Sequence, residues 1–188
     1  MISHWTRNNV ETVYDARIFK LKKATFRRDG RQGQGPFAHP YYYLDSCDWV
    51  NIIPVTPDHK VVLIRQFRAG LNSIILETPG GMVDAEDRSP VEAARRELLE
   101  ETGYGSDAIE PIGKSFPNPA IQNNAIWFFV ANNARALAPQ SPEPGEDIEV
   151  EVVGLVDIDR LIDSGRISHA LVLNAFDFLK RKHPEYWG

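Results

Sequence analysis

Glu97, Glu100 and Glu101 are separated by three and four residues, the spacings that bring side chains to one face of a helix. Placed at 100° per residue, they fall within an arc of about 100°. Carboxylate oxygens are hard ligands, and a group of them beside an open cavity suits magnesium, which keeps waters and phosphate oxygens in its shell. Arg95 and Arg96 come just before the cluster, and Arg96 can pair with Glu92 or Glu100, holding a carboxylate in place. Upstream, Gly80-Gly81 offers a turn without side chains, where backbone carbonyls and a diphosphate can come close. Like charges at these spacings cost only about a few tenths of a kcal/mol on a wet helix surface. A merely solvated acidic face is therefore the competing reading, and the glycine turn and Arg96 weigh against it.

Residues 89–103 must position these groups. Ser89 is the expected cap, Pro90 the first helical residue, Glu92 the partner in a capping box, and Gly103 the left-handed stop. Val91, Ala94 and Leu98 form the arc that should face the core, while Ala93 shares the acidic arc, where a small residue leaves room for a ligand. Around this helix the pattern reads as α/β. Residues 14–28 alternate apolar and basic like one half-exposed strand, Gly30, Gly33, Gly35 and Pro36 mark a loop, and 41–44 resumes a strand. Residues 1–45 thus read as a small β extension, an expected dimerisation element, and 46–188 as the main domain. There, strands are expected at 49–55, 60–67, 74–77, 125–131 and 148–156, and a Pro-rich loop at 138–147. Helices are expected at 157–164 and 169–182, the second carrying Leu171, Leu173, Phe176 and Leu179 inward.

Composition narrows the partners. The 188 residues carry a net charge of −5, which argues against coating nucleic acid or an anionic membrane. An anionic substrate must then be drawn locally, by a cation or a few arginines. No run of apolar residues reaches membrane-spanning length, and the polar start at 1–10 has no apolar leader core. The one cysteine, Cys47, excludes an internal disulfide; it reads as a small core-filling residue in a reducing, cytoplasmic protein.

The run from Arg96 to Tyr104, Arg-Glu-Leu-Leu-Glu-Glu-Thr-Gly-Tyr, resembles the second half of the Nudix signature, G-x5-E-x7-R-E-U-x-E-E-x-G-U, with U a large apolar residue. The first half departs from it: counted from Gly81 the glutamate position falls on Asp87, with eight rather than seven residues between it and Arg96, and Glu86 is the alternative. In the family that acid is mainly a structural partner of the arginine. The resemblance implies a Nudix-type α/β/α sandwich with a mixed sheet behind an N-terminal antiparallel β extension. It implies hydrolysis of a nucleoside diphosphate derivative with Mg2+, or Mn2+ in its place. Glu97 and Glu101 would be the chief metal ligands, Glu100 a further one, and Gly80 a ligand through its carbonyl. A further carboxylate often comes from a mobile loop outside the box; Glu146 is expected there, ahead of Glu149. Glu100, Glu146 and Arg96 are the groups expected at the reaction itself.

The β extension, the Arg65-Gln66-Phe67-Arg68 run and the Glu77-Thr78-Pro79-Gly80-Gly81 turn look like the ADP-ribose and nucleotide-sugar pyrophosphatase branch. Pro119, 15 residues beyond Tyr104, stands close to a proline of that branch, though within Asn-Pro-Ala rather than Ser-Pro-Gly. Arg65 and Arg68 could clamp phosphate, and Glu77, Gly81 and Pro119 are further expected substrate contacts. In relatives the extension exchanges between two subunits, which implies a homodimer. Phe19, Phe26 and Trp49 could stack a base, although packing is the commoner fate of such rings. His169, at the head of its helix, reads as a cap or surface residue. The other readings are a non-catalytic Nudix-fold ligand sensor, and a Nudix hydrolase of dinucleotide polyphosphates, NADH or coenzyme A.

Overall fold

The computed structural model describes residues 4–30 and 35–187. Gly33 of the expected glycine loop and the first three residues of the polar start lie outside them. The chain divides into two compact units, Met1–Cys47 with Phe116–Ala125, and Asp48–Ser115 with Ile126–Gly188.

The first unit is a three-stranded antiparallel sheet in the order β1-β2-β3, formed by β1 (Thr6–Asp15), β2 (Lys20–Arg28) and β3 (Phe37–Asp45). The single strand expected at 14–28 is therefore two strands. The break has a local cause: Arg17 takes a left-handed φ of 67°, its N–H donates to Asp15 Oδ1, and the Ala16 N–H donates to the Phe19 carbonyl. Segment 116–125 joins this unit through Leu44, whose N–H donates to the Ile121 carbonyl and whose own carbonyl accepts from Asn123.

The second unit is an α/β/α sandwich. Its sheet contains β4 (Trp49–Val55), β5 (Lys60–Arg68), β6 (Ser73–Glu77), β8 (Ala108–Ser115), β9 (Ile126–Asn132) and β11 (Ile148–Gly154). The order is β11-β5-β4-β9-β8, with β6 paired to β5. The β4–β9 pair is parallel and the other pairs antiparallel, so the sheet is mixed. Two short strands, β7 (Tyr104–Gly105) and β10 (Arg135–Ala136), pair beside it. Alternation along β4 and β9 divides the core. Val50, Ile52, Phe129 and Ala131 pack against Ala93, Ala94 and Leu98 of α1 (Pro90–Thr102). Ile53, Val55, Ile126, Phe128 and Val130 pack with α2 (Ile158–Asp163) and α3 (Ala170–Lys182). Ala93 is thus a core residue rather than room for a ligand. Trp49 packs against the α3-side cluster instead of facing a base.

Strand β8 was not expected, because Pro111 and Gly113 interrupt it. Both are tolerated where the register with β9 shifts between them. Cys47 is exposed rather than core-filling, since it lies in the short connection ahead of Trp49. No helix among the described residues is long and apolar enough to cross a membrane.

Candidate active site

Helix α1 begins and ends where its sequence directs, but not by the expected means at its start. Ser89 makes no side-chain capping bond. The Glu92 N–H that the capping box would satisfy donates instead to the Ser89 carbonyl at 3.0 Å. At the other end Gly103 adopts φ 73°, and its N–H donates to the Leu99 carbonyl. This fixes the helix phase, which places Glu97 and Glu101 toward the 78–81 turn, with Glu100 beside them on Arg96.

That turn follows β6 and lies along β4. Val50 and Ile52 donate to the Gly81 and Pro79 carbonyls, each at 2.9 Å, so the Gly80 peptide faces away from β4. Its N–H donates to Glu101 Oε2 at 2.8 Å. Side chains are excluded here: a Cβ on Gly80 would stand 2.1 Å from the Val50 carbonyl oxygen, and one on Gly81 2.3 Å from Glu97 Oε1. The glycines thus allow the turn to press against both the strand and the carboxylates.

Burial is graded along the cluster. Glu101 is 1% exposed, while the Glu97 and Glu100 side chains are 13% and 35% exposed. Burial pushes the Glu97 carboxyl up to about 7, against the pull of Arg96 and with further push from Glu100 and Glu146. Burial likewise pushes Glu101 up to about 8; the Gly80 N–H and Arg68 oppose it, and Glu97 and Glu146 add to it. Glu146, half-buried at the end of the Pro-rich loop, is therefore part of the same negative field.

Arg96 organises the cluster. Its Nη1 donates to Glu97 Oε1 at 2.9 Å and to Glu100 Oε2 at 3.1 Å. Its Nε and Nη2 donate to the two oxygens of Asp87 at 3.3 and 3.0 Å, and Nη2 also reaches the Met82 carbonyl and Asp84. Asp87 thus holds the arginine while Glu86 stays exposed, which resolves the alternative left open by the signature's longer gap. The expected Glu92 pairing is not made. With its oxygens engaged this way, the cluster is not a ready metal cage: no three His, Cys, Asp or Glu among the described residues stand grouped as one. The donor set still fits a hard divalent cation. Two buried carboxylates with raised proton affinity are short of positive charge, and a cation would supply it.

Of the two strand arginines, only Arg68 belongs to this region. Arg65 and Arg68 are three apart on β5 and so project to opposite faces. Arg65 pairs with Glu149 of β11 at 3.2 Å, both exposed, which corrects the expected joint clamp and removes Glu149 from the candidate carboxylates. Arg68 donates through Nε at 2.8 Å and Nη2 at 2.6 Å to one oxygen of Glu77, itself 1% exposed. Burial pushes the Glu77 carboxyl up, but His169 and Arg68 outweigh it and hold it below the usual range. His169 was expected as a cap or surface residue; its Nδ1 lies 2.5 Å from Glu77 Oε1. Nothing in the sequence pairs these two. Pro119 lies in the first unit, where it lines a cavity of about 360 Å3 with Trp5, Phe26 and Tyr41.

The family model of the NUDIX domain matches residues 48–176, so the chain belongs to the Nudix family and is a Nudix pyrophosphohydrolase. It is 29% identical over 134 residues to an ADP-ribose pyrophosphatase of Bacillus subtilis, covering 71% of this chain and 72% of that one. Over 183 residues it is 30% identical to a GDP-mannose pyrophosphatase of Escherichia coli O139:H28, covering 92% and 94%. The solved structure of an ADP compounds hydrolase superposes with a TM-score of 0.81 at 23% identity, covering 98% of this chain and 97% of that one. That likeness concerns the fold.

Proposed function

We propose that the protein hydrolyses the diphosphate of ADP-ribose or a related nucleoside diphosphate sugar to a nucleoside monophosphate and a phosphosugar. The observation that carries this reading is the buried Glu97–Glu101 pair pressed against the Gly80-Gly81 turn. The relatives named for ADP-ribose and GDP-mannose support the choice of nucleotide sugars. Glu97 and Glu101 would hold Mg2+, or Mn2+, with the Gly80 carbonyl, and Glu100 would be a further ligand. Such an ion supplies charge neutralisation for the diphosphate and a lowered pKa for bound water.

The protein's own groups do the rest. Arg68 meets a phosphate oxygen, and the bare Gly81 backbone lets the diphosphate approach. Arg96 fixes the carboxylate orientations of Glu97 and Glu100. Glu100 or Glu146 accepts the proton of the attacking water at a carboxylate oxygen. As the new P–O bond forms, the bridging P–O bond breaks and its electrons leave with the departing phosphate.

We also read the chain as a cytoplasmic homodimer. Its single cysteine is free and exposed, in keeping with a reducing compartment. In the first unit Val10, Val13, Tyr14, Ile18 and Tyr42 are at least half exposed, and a second copy would cover such a surface. Incubation with Mg2+ and a panel of ADP-ribose, GDP-mannose, other nucleotide sugars, dinucleotide polyphosphates, NADH and coenzyme A tests the chemistry. Nucleoside monophosphate should appear from the nucleotide sugars first. If no compound in the panel is cleaved, the reading fails.

A further inference from the structure

Glu77 is buried to 1% exposure at the end of β6, and its two carboxylate oxygens are divided between Arg68 and His169. Oε2 takes both Nε and Nη2 of Arg68, and Oε1 faces Nδ1 of His169 at 2.5 Å. An arginine beside an isolated carboxylate prefers two parallel bonds, one to each oxygen. Here Arg68 meets one oxygen only, and the ring nitrogen of His169 stands close against the other. The guanidinium is turned so that Nε and Nη2 both meet Oε2, and no bond from Nη1 to Glu77 is made. The Arg68 side chain remains 42% exposed, and its charge is felt at Glu101. His169 sits at the head of α3, so the tie runs from that helix through β6 to β5.

We propose that His169 is a positioning residue that sets the aim of Arg68 at the substrate's diphosphate by holding the far oxygen of Glu77. The proposal rests on the diphosphate-hydrolase reading above for the identity of the anion. It concerns how Arg68 is presented, not the metal ligands.

Asparagine and glutamine separate this role from simple packing. The Asn amide nitrogen falls near the position of Nδ1 and can still donate to Glu77; the Gln amide reaches toward the position of Nε2 and cannot. The probe is methylenediphosphonate, whose P–C–P bridge resists hydrolysis, titrated calorimetrically with Mg2+ present. His169→Gln should weaken its binding ~10-fold, the scale of lost outer-shell support. His169→Asn should stay within about 3-fold of wild type, and each variant should melt within ~3 °C of it. Because His169 acts through Arg68, His169→Gln should have little further effect in an Arg68→Ala background. With the natural substrate, KM should rise in His169→Gln while kcat changes less.

Equal binding by wild type and His169→Gln overturns the proposal, as does an undiminished loss in the Arg68→Ala background or no binding by wild type. If His169→Gln does not fold, His169→Ala carries the same expectation. Should the binding pattern hold while no nucleotide sugar is cleaved, the functional reading falls and the role of His169 stands. Cleavage without the pattern gives the reverse.

Discussion

Glu101 combines the deepest burial in the acidic cluster with a carboxyl pushed up to about 8, mainly by that burial. Such a group weakens the metal-free protein and, under the proposed function, would serve the loaded one. An unfolded glutamate ionises near its ordinary value of 4.5, while native Glu97 and Glu101 hold their protons to about 7 and 8. Between those values the folded chain binds more protons than the unfolded one, so stability falls as pH rises. The stabilising contribution is complete below 4.5 and lost as pH climbs through 7 and 8. Metal-free protein should therefore melt on the order of 10 °C lower at pH 8.5 than at pH 6, from these groups alone. Glu101→Gln removes much of that dependence and should be the more stable protein at pH 8.5, yet its turnover should fall by at least ~10²-fold. Differential scanning fluorimetry across pH, alongside product assays, checks both halves. A variant that keeps its activity would remove Glu101 from the machinery. The three glutamates and the glycine turn were legible because helical spacing depends only on sequence. His169 was not, because its partner Glu77 is distant in the chain and meets it only through tertiary packing.

Helix α1 shows how local rules and tertiary context divide the work of placing an element. Its bounds follow from Pro90 and Gly103, residues whose backbone preferences act wherever the chain lies. Its cap does not: Ser89 has the right side chain, but the N–H it would serve is already satisfied by the Ser89 carbonyl. Ser89→Ala should accordingly change stability by less than ~0.5 kcal/mol, below the usual worth of a cap. Gly103→Ala should destabilise by more than ~2 kcal/mol, because φ is 73° and the new Cβ would stand 2.1 Å from the Ala138 carbonyl oxygen. Urea denaturation of the two variants measures the contrast, and similar losses would show that the helix is not fixed in this way. The strands obey the same division. Those with clean apolar runs, β4, β5 and β9, lie within a residue or so of their expected bounds. Strand β8 escaped notice because a proline and a glycine mark it as a loop, and only pairing with β9 makes it a strand. Arg65 and Arg68 carry the converse lesson. The run looked like a clamp until strand alternation put the two on opposite faces.

At the scale of the whole molecule, the first unit poses a problem that its own strands do not solve. Three antiparallel strands without a covering helix leave Val10, Val13, Tyr14, Ile18 and Tyr42 at 50 to 64% exposure. Exposed apolar side chains of this kind on a chain with net charge −5 are not explained by attraction to anionic surfaces. They call for an apolar partner, and in the homodimer proposed above that partner would be a second copy. Light scattering coupled to size-exclusion chromatography should give a mass of twice 21.2 kDa. Tyr14 and Ile18 are the most exposed of the five and lie at the β1–β2 turn, where charge should be tolerated within the unit. Tyr14→Glu with Ile18→Glu should therefore shift the mass toward 21.2 kDa without loss of secondary structure by circular dichroism. A double variant that stays dimeric would show that the interface lies elsewhere, and a wild-type monomer would leave the exposed sheet to a different partner.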